Sequence, residues 1–229
     1  MLRYKSYEIL SIAAAHFFTI ACSKSIAAHN KFTVALSGGN TPKRFYELLA
    51  TAEFSKNINW KKVFIFFSDE RYVQHSNAES NFNMVSKALL DHIPIPQKNV
   101  FAIPVSSSPK KDALTYQTAV KKIIGDKKNA FDLILLGMGA DGHTASLFAG
   151  NKILTEKKRL VKEVFLKDKN IHRISFTLPL INRAKAILVL VNGKEKEAVL
   201  KKVSARRKTK NPLPVQLLKG DITWMVQVA

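Results

Sequence analysis

Short apolar runs alternate with helix-patterned stretches through most of the chain. Phe32–Leu36, Val63–Phe67 and residues 133–136 and 186–191 are mostly apolar without strict alternation. That pattern predicts strands buried on both faces of a parallel sheet. Ile9, Ile12, Ala13, His16, Phe17, Ile20 and Lys24 recur at helical spacing, predicting a first amphipathic helix that runs to about Asn30. Thr41 as N-cap and Pro42 at the first helical position open a second helix. Ser76 and Glu79 resemble a capping box for a third, running to about Leu90. VFAI at residues 100–103 reads as a short strand, and Pro109–Ile124 as a helix. Residues 160–165 and 171–177 read as strands around the polar turn KDKN, and LPLINRA as a short helix or turn. Asn192 and Gly193 open a helix carrying Lys194 and Lys196, and residues 222–228 form a closing strand. No repeat or low-complexity linker appears. The expected fold is a single α/β domain over residues 1–229, with a mainly parallel Rossmann-like sheet flanked by helices on both faces.

The chemistry gathers in residues 132–148, DLILLGMGADGHTASLF. Gly137, Gly139 and Gly142 let the backbone turn at the carboxyl end of the strand, and Asp141 and His143 arrive inside that turn. Ligand sites of open α/β sheets lie beyond strand carboxyl ends, so an acid and an imidazole there are placed for reaction. The structural alternative is that His143 only caps the turn. A helix is expected over residues 144–148. Two further loops share the pattern. Ser37, Gly38, Gly39 and Asn40 form a glycine-bearing turn before a helix N-terminus, which suits an anion. It can equally be a plain tight turn. Ser68, Asp69, Glu70 and Arg71 follow the strand Val63–Phe67, and charges stacked there belong in a cleft or an ion pair.

Two motif matches fail on context. A nucleophile elbow needs Gly two positions before Ser37, where Ala35 stands. GMGADG fits G-x-G-x-x-G but lies far into the chain without the acid-bearing second strand, so no nicotinamide cofactor is expected.

Composition changes the picture in two ways. The single cysteine, Cys22, excludes a disulfide framework and a cysteine zinc site, and suits a reducing, cytoplasmic setting. The net charge of +20 raises a nucleic-acid reading. However, the lysines are dispersed, RRKTK at residues 206–210 is the one compact run, and basic–aromatic interleaving is missing. A basic surface that draws in a phosphorylated ligand is the better account, with no specific nucleic-acid partner. The apolar run at residues 9–21, after Arg3 and Lys5, echoes a lipoprotein signal. It reads as too short and polar to span a membrane, so no membrane partner is expected.

Taken in order, LSGGNTPKRFYELL, FFSDERYVQHSNAESNFNM and LGMGADGHTASLF resemble the 6-phosphogluconolactonase family, whose members act in the oxidative pentose phosphate pathway. RISFTLPLIN and VNGKEK extend the resemblance over essentially the whole chain. Gln74 and Ala149 depart from it, each where the family commonly has Pro. The resemblance implies hydrolysis of a sugar-phosphate lactone with no cofactor and no metal. In that chemistry His143 acts as base on a water and Asp141 orients it. It also implies that Arg71 and Lys196, with Arg173 as a third, bind the phosphate. Asp69 and the Ser37, Gly38, Gly39, Asn40 and Thr41 loop would complete the binding set. The family shares its fold with glucosamine-6-phosphate deaminase, whose corresponding loop reads like GHIAFNEP and would place Glu where Phe148 stands. A monomer or weak dimer is expected.

Overall fold

The structure, a computed structural model, describes residues 1–106, 108–125, 130–205 and 211–228. The basic run 206–210 lies outside the described residues. In chain order the strands are β1 (Leu2–Arg3), β2 (Phe32–Leu36), β3 (Val63–Phe67), β4 (Asp69–Arg71), β5 (Leu133–Gly137), β6 (Val161–Leu166), β7 (Ile171–Phe176), β8 (Ile187–Asn192) and β9 (Ile222–Gln227). The helices are α1 (Tyr7–His29), α2 (Lys43–Ala50), α3 (Ala52–Ser55), α4 (Asn81–Ala88), α5 (Pro109–Ile124), α6 (Leu178–Ile181) and α7 (Glu197–Ser204).

Six strands form one parallel sheet in the order β1-β9-β8-β5-β2-β3. All of β2 and the first four residues of β5 are buried, as their continuous apolar character requires. After β2 the chain steps outward to β3, then returns across β2 to β5 and moves the other way to β8. The gap beyond the carboxyl ends of β2 and β5 is therefore the topological switch point, the place where such sheets bind ligands.

The expectation of a mainly parallel sheet flanked by helices holds, with one addition. Asp69–Arg71 is a strand in a second, three-stranded antiparallel sheet, β4-β7-β6. Ser68 joins the two sheets: its N–H donates to Leu36 O at 2.8 Å and its carbonyl accepts from Phe176 N at 2.8 Å.

Several local expectations need correction. Thr41 is not an N-cap: helix α2 starts at Lys43, Pro42 is the cap residue, and Thr41 sits in the preceding turn. The third helix is opened by Ser80, whose hydroxyl accepts from Asn83 N, and not by Ser76. Residues 100–103 form no strand beyond a single bridge between Ile65 and Val100. Residues 144–148 are not helical, because Ala145 adopts φ +46° and Thr144 bridges Leu147 instead. The short strand β1 had no visible signal in two residues.

Helix α1 is turned the other way from the sequence expectation. Leu10, Ala14, Ala15, Phe18 and Cys22 are buried, whereas Ile9, Ile12 and Ile20 face outward. The helix extends beyond the apolar run 9–21, and its 23 residues are long and apolar enough to cross a membrane by length and composition alone. In the fold it is a core-packing helix. Ser6 caps it with a hydroxyl accepting from Ile9 N at 3.2 Å, and Asn30 ends it in the left-handed conformation at φ +62°. Phe18 anchors it against Phe32, Phe45 and Trp60, with ring centroids 5.3, 5.9 and 6.4 Å away.

This orientation is tested by two substitutions. Phe18→Ala should cost about 3–5 kcal/mol in urea unfolding, as buried aromatic truncations do. Ile20→Ala should cost under about 1 kcal/mol, as expected for an outward position.

Candidate active site

The turn after β5 is built to hold an imidazole. The Thr144 hydroxyl donates to Gly137 O at 2.8 Å, and Gly139 N donates to His143 O at 2.9 Å, closing the loop on the strand end. The Asp141 carboxylate accepts the His143 backbone N–H at 3.1 Å and faces His143 Nδ1 at 2.5 Å. That fixes Nδ1 on the carboxylate and leaves Nε2 as the nitrogen for a ligand. Burial acts to raise the Asp141 carboxyl, but the two hydrogen bonds from His143 outweigh it, and the group lies below its ordinary value.

The ring is held in a slot. A Cβ on Gly139 would lie 2.1 Å from His143 Nδ1, so only glycine leaves room there. Phe148 stacks on the imidazole at 4.3 Å with planes 26° apart, and its ring also takes the Arg173 guanidinium at 5.5 Å.

The second half of the site comes from the small sheet. Arg71 and Arg173 stand directly opposite in the β4–β7 register. Like charges so paired are destabilising, and neighbouring anions offset the repulsion. Asp69 is the anion present: it lies 3.9 Å from Arg173 Nη1 and accepts the Ser146 hydroxyl at 2.6 Å. Arg71 Nη1 donates to Glu79 O at 2.5 Å, while the Nε atoms of Arg71 and Arg173 are buried without a partner. Burial pushes the Arg173 guanidinium below its usual value, Asp69 opposes that, and Arg71 adds to it. A dianion between the two guanidiniums would relieve their repulsion.

Glu70 underlies this arrangement. Its buried carboxylate accepts from Arg71 N, Asn81 N and Phe82 N at 2.7–2.8 Å and from Ser80 Oγ at 3.0 Å. It thereby supplies the acceptors that the first turn of α4 lacks. Burial pushes its carboxyl up, and the four donors pull it back only in part.

The Ser37–Thr41 loop lies beside the dyad at the end of β2, the neighbour of β5. Ser37 N donates to the Tyr46 hydroxyl at 3.2 Å, so it is committed and does not offer a ligand donor. A Cβ on Gly38 would fall 1.7 Å from Asn81 Oδ1, so Gly38 packs on Asn81, which in turn donates to Asp69 O at 2.9 Å. Gly39 has φ +91° and open space around it, and Tyr7 OH donates to Asn40 O and Thr41 O. Lys196 follows β8, the other neighbour of β5, with its amine 3.5 Å from Glu195.

Sequence reasoning missed Asn81, Ser146, the cap made by Glu70 and the stacking role of Phe148. Ser146 and Phe148 lie within the stretch it singled out, whereas the pairing of Asn81 with Gly38 depends on a contact distant in sequence. A cavity of about 840 Å³ is lined by Asp141, Phe148, Lys152, Lys162 and Phe165 among others, and Arg71, Arg173 and Lys196 are not among its lining residues. Among the described residues no group of three or more His, Cys, Asp or Glu side chains is placed to hold a metal.

Comparison with known proteins agrees on one family. Residues 5–224 match the family model described as glucosamine-6-phosphate isomerases/6-phosphogluconolactonase. A 6-phosphogluconolactonase of Synechocystis sp. is 38% identical over 225 residues, covering 96% of this chain and 91% of the relative. One from Nostoc sp. is 36% identical, covering 90% and 85%. The solved structure of the 6-phosphogluconolactonase from Trypanosoma cruzi superposes with TM-score 0.87 at 31% identity, covering 99% of this chain and 93% of that one. A monomeric glucosamine-6-phosphate deaminase has TM-score 0.85 at 19% identity, a likeness of fold alone.

Gly139→Ala should expel the imidazole from its slot while the sheet stays folded. The check is the proton NMR signal of the Nδ1–H held by Asp141, which should disappear from the variant while circular dichroism is unchanged.

Proposed function

The chain belongs to the glucosamine-6-phosphate isomerase/6-phosphogluconolactonase family, and from that premise we propose how its own residues act. The chain hydrolyses 6-phospho-D-glucono-1,5-lactone to 6-phospho-D-gluconate, a step of the pentose phosphate pathway. The observation that carries the residue assignments is the Asp141–His143 pair at the switch point, beside the opposed Arg71 and Arg173.

A δ-lactone is an activated ester, so water can attack it without a covalent nucleophile. His143 Nε2 takes a proton from that water as its oxygen bonds to C1 of the lactone. Asp141 holds the ring and stabilises the imidazolium that forms. The tetrahedral oxyanion is met by backbone N–H groups. Gly139 N and Gly142 N are used inside their own turn, so the Gly38–Asn40 segment is the source we assign. The intermediate then collapses: the bond from C1 to the ring oxygen breaks, and the imidazolium returns the proton to that oxygen. The 6-phosphate sits between Arg71 and Arg173, with Lys196 closing from β8.

The deaminase reading is disfavoured by Phe148. An acid at that position would face the imidazole, and an apolar ring stacks there instead. A nucleic-acid role is disfavoured because the lysines are dispersed and RRKTK at residues 206–210 is the one compact basic run, and we place the enzyme in the cytoplasm as one catalytic unit.

The assay is hydrolysis of freshly made 6-phosphogluconolactone, followed through oxidation of the product and corrected for spontaneous opening. His143→Ala should lower kcat by about 10²–10⁴-fold in a folded protein. Retention of most activity would remove His143 from the role of base. Lys196→Ala should raise KM for the phosphorylated lactone with little change in kcat, because the phosphate is bound alike in ground and transition states. Equal losses on unphosphorylated gluconolactone would show that Lys196 does not read the phosphate.

A further inference from the structure

Helix α1 is apolar on both sides. Leu10, Ala14, Phe18 and Cys22 seal one side in the core. The opposite side carries Ile9, Ala13, His16, Ile20, Ser23 and Ala27 at successive steps of four, three, four, three and four residues, with Ala13 half-buried and the His16 ring also edge-on to Phe54 at 5.0 Å. That is the a/d alternation of a helix-pairing seam. Ile9 and Ile20 are 48% and 55% exposed, and Ile12 on the flank is 37% exposed. A helix that is hydrophobic all round is normally covered all round, and here only half of it is.

Charge identifies the cover. The chain has 37 Lys and Arg among 229 residues, yet none falls between Lys5 and Lys24. Glu8 is the one charged residue in that interval, and Arg44 holds it with two hydrogen bonds of 2.8 Å. A protein with a net charge of +20 repels its own copies over most of its surface. This face is cleared of that repulsion. An anionic membrane or nucleic acid would instead seek the lysine-rich faces, because α1 offers it little positive charge.

The seam is also complementary to itself. An antiparallel pairing about a twofold axis at the level of residue 18 sets Ile9 against Ala27, Ala13 against Ser23 and His16 against Ile20. At both ends a large side chain meets a small one, which lets the two backbones approach. One pair of 23-residue helices buries little area for an interface, on the order of 1,200 Å² or less. We infer that the outward face of α1 is a homodimer seam, closing a weak, reversible antiparallel pair of copies of this chain. Because the two copies repel elsewhere, added salt screens that repulsion and tightens the pair. Attraction to a polyanion would respond to salt in the opposite sense.

The test is sedimentation equilibrium of the full chain up to about 1 mM, at salt from about 20 to about 500 mM. The dimer fraction should rise with salt. Ile20→Lys should weaken association at least about 10-fold at every salt concentration, since it buries a charge in the seam. Ile9→Ser should weaken it in the same direction. Leu114→Lys adds the same charge at a 43% exposed position on α5 and should leave association unchanged. Circular dichroism verifies the fold of each variant. A monomer under every condition would overturn the inference, as would association that weakens with salt. So would Leu114→Lys proving as disruptive as Ile20→Lys.

Discussion

The burial of β5 between β2 and β8 is the constraint on which the site depends. Leu133–Gly137 pairs with strands on both edges, and its side chains are covered on both faces. A strand so enclosed has one register in which its backbone hydrogen bonds are all made. That register fixes where the apolar run ends and where polar groups first reach solvent. The glycine turn then has only to bring Asp141 and His143 round the corner. The positions of Gly139 and Phe148 against the imidazole show how little freedom the ring keeps once it arrives. Positional precision at the imidazole thus derives from hydrophobic burial below it.

The small antiparallel sheet makes the complementary contribution, and it does so at an electrostatic cost. Two arginines opposite one another are unfavourable, and Arg173 is half-buried besides. Asp69 beside Arg173 is the neutralising neighbour, and Glu70 is tied to the first turn of α4. Glu70 keeps its carboxylate occupied with backbone donors, so its charge organises the loop without quenching the guanidiniums directly. An anion with two charges would complement such a site, which is why we propose it for the phosphate of the substrate.

Much of this was legible in the sequence because it follows from backbone chemistry. Uninterrupted apolar runs announced the parallel strands, and the glycines around Asp141 and His143 announced a turn with functional groups in it. The departures have specific physical causes. Residues 144–148 carry helix-like composition, but the Thr144 hydroxyl bonds Gly137 O and Ala145 takes a left-handed conformation, so the chain turns back. Helix α1 has apolar residues on both sides, so periodicity alone could not choose between its faces. Ser80 displaced Ser76 as cap because Glu70, on strand β4 ten residues earlier, supplies the other acceptors for that helix start. The opposed arginines were beyond reach, since strand β4 is only three residues long and its partner follows about a hundred residues later.

A crystal structure with bound 6-phosphogluconate tests the central claim most directly. The phosphate should lie between Arg71 and Arg173 with Lys196 at its edge, and a C1 carboxylate oxygen should stand about 2.6–3.2 Å from His143 Nε2, directly or through one water. Product seated instead in the cavity beside Lys152 and Phe165, with C1 remote from His143, would contradict it.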